Sequence, residues 1–159
     1  MEGTAVFSHE QKPCRLDYHI ICDKDWRTLS EEVQGWVGEQ TVRIHLRVDA
    51  NRLWWLNEDE VPAVRGCFDI DLNFSPSTNT IAIRWLKLEV GERKNITAAW
   101  LKFPNFALEP IQQSYHRLEQ YRYRYESGGG QFVADLKTDD IGFVINYPDI
   151  WQAEATQGV

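Results

Sequence analysis

Residues 66–88, GCFDIDLNFSPSTNTIAIRWLKL, constrain the fold more than any other stretch, because they ask for a strand and then a helix in direct succession. In CFDIDLN, Phe68, Ile70 and Leu72 alternate with Cys67, Asp69, Asp71 and Asn73, the period-2 pattern of a strand with two carboxylates on one side. Ser75-Pro76 is a helix-start signal, since a Ser oxygen can accept from an orphan amide and Pro at the first helical position gives up no useful donor. The run after it, residues 81–88, is apolar except for Arg84 and Lys87. At helical spacing Ile81, Trp85 and Leu88 share a stripe that Ile83 and Leu86 widen. Ile81, Ile83 and Trp85 would also alternate in a strand; the Ser-Pro start selects a buried helix over 76–88.

The rest of the chain reads as sheet. Residues 15–22, RLDYHIIC, are short and β-branched, and residues 26–37 hold a less distinct strand. TVRIHLRV at 41–48 sets Val42, Ile44, Leu46 and Val48 against Arg43, His45 and Arg47, a half-buried strand. RLWWLN at 52–57 follows a turn, and further strands are predicted over 95–103, 107–118, 121–125, 131–137 and 143–147. Ser127-Gly128-Gly129-Gly130 reads as a hairpin loop, and the polar segment 152–159 as a flexible tail. A chain of 159 residues is long enough for one core, so a single domain over 1–159 is expected.

Charge and motifs narrow the function classes. A net charge of −7 with scattered Lys and Arg argues against nucleic acid or an anionic membrane as partner. Cys14, Cys22 and Cys67 lack CxxC spacing, and His9, His19, His45 and His116 lack HxH or HxxxH spacing, so neither a disulfide framework nor a metal site is expected. The opening MEGTAVFSHEQKPC has no basic and apolar leader regions, and no apolar run reaches the roughly 20 residues of a membrane helix. Free thiols in the cytoplasm, no transmembrane segment and no cofactor are therefore the expectation.

Asp69 and Asp71 are the clearest candidate chemistry. Residues two apart on a strand lie roughly 6.5 to 7 Å apart along it, a separation that suits paired-carboxylate hydrolysis, a sugar or a divalent cation. The structural alternative is that they pair with Arg84 or cap amides near Thr78–Thr80, pinning strand to helix. Thr78, Asn79 and Thr80 suit capping of the first helical turn.

Taken in order, Asp25-Trp26-Arg27-Thr28, Gly66-Cys67-Phe68-Asp69-Ile70-Asp71, Ser75-Pro76-Ser77-Thr78-Asn79-Thr80 leading to Ile83-Arg84, Pro104, Gln113-Ser114-Tyr115, Tyr123-Arg124-Tyr125-Glu126-Ser127, Gly142-Phe143-Val144 and Tyr147-Pro148 resemble the bacterial glycolipid-binding domain family. The resemblance implies a spiral β-roll, a many-stranded antiparallel sheet wrapped around one helix, forming a homodimer. That family is described as similar to lipoprotein-localisation factors, whose concave sheets hold acyl chains. It implies a non-catalytic binder of a glycolipid or other amphipathic ligand, with Asp69, Asp71 and Arg84 at a polar mouth, aromatic and apolar walls near the helix, and Asn79, Trp85, Tyr115 and Tyr125 as further candidate ligand residues. A helix that filled the roll would leave such a ligand beside it or between subunits. The alternatives are an interaction homodimer without a small ligand and a carbohydrate-active hydrolase using Asp69 and Asp71.

Overall fold

In a computed structural model that describes residues 1–154, the protein is mostly β with a single α-helix. Its strands form two sheets, and the chain groups into two compact units, Met1–Phe68 and the residues from Asp69 onward.

The first unit is an antiparallel meander of six strands: β1 (Glu2–His9), β2 (Lys12–Cys22), β3 (Thr28–Val37), β4 (Gln40–Val48), β5 (Trp54–Leu56) and β6 (Asp59–Glu60). β1 lies ahead of the first predicted strand; its half-exposed alternation leaves a weak apolar signal. The predicted alternation of β4 holds, with Val42, Ile44, Leu46 and Val48 buried and the residues between them exposed. Arg52, which sequence leaves without a role, fastens the end of this unit. Its guanidinium donates to the carbonyls of Thr28 (2.8 Å), Cys67 (2.8 and 3.0 Å) and Phe68 (2.9 Å), and the Trp54 indole donates to Cys67 as well (3.2 Å). A planar guanidinium carries five N–H donors in fixed directions, so this one side chain can hold three carbonyls in a set geometry.

The second unit holds β7 (Ile70–Leu72), the helix α1 (Asn79–Leu86), β8 (Arg93–Lys102), β9 (Ala107–Glu119), β10 (Arg122–Ser127), β11 (Phe132–Thr138), β12 (Val144–Tyr147) and β13 (Trp151–Gln152), with the strands in one seven-stranded sheet. Two corrections to the expectation follow. The sheet is not wholly antiparallel, because β7 pairs parallel with β8, Ile70 opposite Ala99 and Leu72 opposite Leu101. A parallel neighbour requires a crossover, and α1 is that crossover. Gln152, the first residue of the predicted tail, also belongs to the sheet, pairing from β13 with Asn146 of β12; residues 155–159 of that prediction lie outside the described residues.

The helix is shorter than 76–88. Residues Pro76–Thr78 form a 3-10 turn, α1 begins at Asn79, and Lys87 ends it in the left-handed conformation (φ 48°). Ser75 caps the 3-10 turn through the Ser77 amide (3.4 Å). Thr78 does not cap: its hydroxyl accepts from the Leu72 amide (3.2 Å) and donates to the Ser75 carbonyl (3.3 Å), tying the helix entrance to β7. Two helical turns are marginal alone, so α1 depends on packing. Ala82, Ile83 and Leu86, with Leu88 beyond the helix, are buried in one cluster with Tyr115, Tyr123, Tyr125, Ala134, Leu136, Val144 and Tyr147, so the sheet's inner face surrounds the helix across β9 to β12. Thr78→Val keeps the shape and removes both hydroxyl bonds. It is expected to cost about 1–3 kcal/mol in urea unfolding, because the buried Leu72 amide loses its acceptor.

Candidate functional site

Period-2 geometry puts Gln113 and Tyr115 of β9 on the face that also carries Tyr125 of β10, and the register sets Tyr115 opposite Tyr125. Those two rings stand 5.1 Å apart and tilted. Tyr125 also meets Phe132 of β11 at 6.1 Å and Tyr147 of β12 at 6.3 Å, and Phe132 meets Tyr147 at 6.0 Å. Such spacings are those of favourable edge-to-face and tilted pairs. Phe132 is 37% exposed and Tyr115 only 1%, so the aromatic ladder runs from the surface to the core.

Polar groups gather at its inner end. The Gln113 side-chain amide donates to Asp71 Oδ2 and to the Tyr125 hydroxyl (2.9 Å), while the Asn79 amide donates to the Tyr115 hydroxyl (2.8 Å). One amide group thus bridges a carboxylate of β7 and a phenol of β10. Burial raises the Asp71 carboxyl from 3.8 to about 6, and the Gln113 hydrogen bond offsets only part of that rise. Burial also pushes up the hydroxyls of Tyr115, Tyr125 and Tyr147, and the negative charge of Asp71 adds to it in all three. These phenols are fixed donors and acceptors, not acids, at any ordinary pH.

Of the residues singled out in the sequence, Asp71, Asn79, Tyr115 and Tyr125 come together here. Asp69 is buried just ahead of β7, within electrostatic reach of Tyr115 and Tyr125, and its carbonyl accepts from the Ala99 amide (2.9 Å). Trp85 packs half-buried against the helix cluster. Arg84 sends Nη1 to the Ile141 carbonyl (2.9 Å), while the hydrogen-bond partner of the Asp71 carboxyl is Gln113. Gln113, Phe132 and Tyr147 join this cluster without having stood out in the sequence as candidates. Gln113 was detectable in principle, two residues from Tyr115 on a strand, but only the register of β9 and β10 gives it its partners. Among the described residues no group of three or more His, Cys, Asp or Glu side chains is placed to hold a metal ion.

Fold and site together define a class: a β protein whose second unit surrounds a single helix and sinks a carboxyl–amide–phenol cluster into an aromatic wall. The chain belongs to the family described as "Putative glycolipid-binding", whose model matches residues 1–153. It is similar to a DUF1089 family protein from Pseudomonas aeruginosa of known crystal structure, at 34% identity and a TM-score of 0.87 over 95% of this chain and 84% of that one. No curated protein matches the sequence. No helix among the described residues is long and apolar enough to cross a membrane.

Proposed function

We propose that the protein is a non-catalytic binder of a glycolipid or similar amphipathic ligand, with the polar end of the ligand at Asp71, Gln113 and Tyr115 and its body along the Tyr125–Tyr147–Phe132 ladder. One observation carries this reading: an aromatic ladder leads from an exposed Phe132 inward to a carboxyl group of raised pKa that is held by a single amide. Aromatic faces and edges suit the apolar surfaces of sugars and acyl chains, and a few convergent polar groups in an apolar wall are the usual makeup of a ligand site. The family description supports the choice of ligand class. Asp69, Arg84 and Trp85 flank this site in the reading and do not form its centre. The protein works in the cytoplasm, the compartment that suits its three free thiols, and as a homodimer, as the resemblance implies; sedimentation at the 18.6 kDa monomer mass would remove the dimer from this account.

Protein purified without detergent is expected to carry lipid detectable by native mass spectrometry and organic extraction. If nothing co-purifies, and neither dodecyl maltoside nor a glycolipid panel binds, the reading is wrong. Phe132→Ala provides the residue-level check. Because Phe132 is partly exposed, its loss should change stability by no more than about 1 kcal/mol, yet weaken dodecyl maltoside binding by about tenfold, read from intrinsic fluorescence.

A further inference from the structure

We infer that the polar end of this site selects an uncharged, hydroxyl-bearing headgroup and rejects anionic ones, with Asp71 and Tyr115 as the selecting pair; the inference rests on the binding reading above. The hydrogen-bond inventory points to it first. Gln113 occupies Asp71 Oδ2, which leaves Oδ1 to accept. The Tyr115 oxygen already accepts from Asn79, which leaves its own proton to give. A sugar or glycerol hydroxyl donates one bond and accepts others, so one such group, or two neighbouring ones, can satisfy both atoms. Phosphate and sulfonate oxygens only accept and would set lone pairs against Asp71 Oδ1.

The charges around the cluster agree. Burial and Gln113 act on Asp71; burial and Asp71 act on Tyr147; burial, carboxylates, other phenols, Asn79 and Ser127 act on Tyr115 and Tyr125. Asp71 acts on all three phenols, and Asp69 on Tyr115 and Tyr125 as well. Arg122 and Arg124 on β10 alternate to the face opposite Tyr125, where they pair with Glu119 (2.9 Å) and Asp135 (both 3.0 Å), and Arg117, two residues from Tyr115 on β9, donates to the Leu88 and Gln120 carbonyls (2.7 and 2.8 Å). Binding sites for anionic headgroups are built on Arg and Lys, whereas a like charge placed against a carboxylate is strongly disfavoured.

The test compares two lipids that differ in headgroup charge. Phosphatidylcholine vesicles carrying equal fractions of monoglucosyl diacylglycerol or sulfoquinovosyl diacylglycerol, with matched acyl chains, are titrated with full-length protein near pH 7.5 in a flotation assay. The neutral lipid is expected to bind about tenfold more tightly or better, and Asp71→Asn, which removes the charge and keeps the shape, should shrink the preference to about threefold or less. Equal or tighter binding of the sulfonated lipid by the wild-type protein would overturn the inference and leave the binding reading in place. A preference that survives unchanged in Asp71→Asn would overturn the assignment to Asp71. Binding of neither lipid above plain phosphatidylcholine would sink the binding reading and the inference together.

Discussion

Gly35→Ala is expected to lower the melting temperature by about 10 °C or more, a loss of about 3 kcal/mol or more in stability. Gly35 sits in β3 with β2 on one side and β4 on the other, opposite Leu16 and Val42. Its φ of +151° is one that L side chains rarely adopt, and a Cβ there would stand 1.9 Å from the Arg15 carbonyl oxygen and 2.9 Å from its carbon. Backbone cannot swing aside as a side chain can, so the β2–β3 ladder must shift. A one-residue slip would send Leu16, Tyr18 and Ile20 to the face that now carries Arg15, Asp17 and His19. Gln34→Ala, one residue away and exposed, should stay within about 0.5 kcal/mol of wild type. A Gly35→Ala protein that melts with the wild type would mean that β2 and β3 do not approach as described.

Asp71→Asn is expected to stabilise the protein at neutral pH and to do nothing in acid. The Asp71 carboxyl ionises at 3.8 in an unfolded chain and at about 6 in the folded one, so the folded state holds the proton more tightly. Its contribution to stability is therefore fully present below pH 3.8, declines as pH rises, and is gone above about 6, a change of at most about 3 kcal/mol. Asn cannot ionise and offers Gln113 the same acceptor oxygen, so it keeps that contribution at every pH. Urea unfolding near pH 7.5 should show the variant ahead by about 1–3 kcal/mol, and the two curves should converge near pH 4. A variant less stable than wild type at pH 7.5 would show that the ionised carboxylate stabilises the fold. A group kept at a cost to stability, while its removal alters headgroup selection, is what a binding role for Asp71 requires.

Much of the β framework was legible in the sequence because period-2 alternation is a local signal. The four apolar residues of β4, the alternation in β10 and the Ser127–Gly130 connection all appear where the pattern places them. Tyr121, the first residue of the predicted strand 121–125, lies instead in the turn just before β10 and is exposed. The helix was legible from Ser75-Pro76, although its ends were not: 3-10 and α geometry share the same start signals, and Lys87 takes a left-handed conformation without being glycine. β1 escaped notice because both of its faces keep solvent contact, which removes the apolar alternation.

The site was only half legible. Asp71 and Asn79 stood out by residue type and Tyr115 and Tyr125 through the resemblance, but sequence offered the Asp71 carboxylate Arg84 or turn amides as partners, and the fold gives it the Gln113 amide. By itself, then, the sequence determined the strand and helix inventory, the burial of α1 and the residue types near the corner between β7 and the helix. Those depend on spacing of a few residues and on side-chain chemistry. Tertiary structure alone decided that β7 runs parallel to β8, that Gln113 crosses from β9 to reach Asp71 forty-two residues away in sequence, and that three tyrosines and Phe132 align into one ladder. Such pairings depend on strand order and register, and no local pattern encodes which of several amides will meet a given carboxylate once the sheet has closed on the helix.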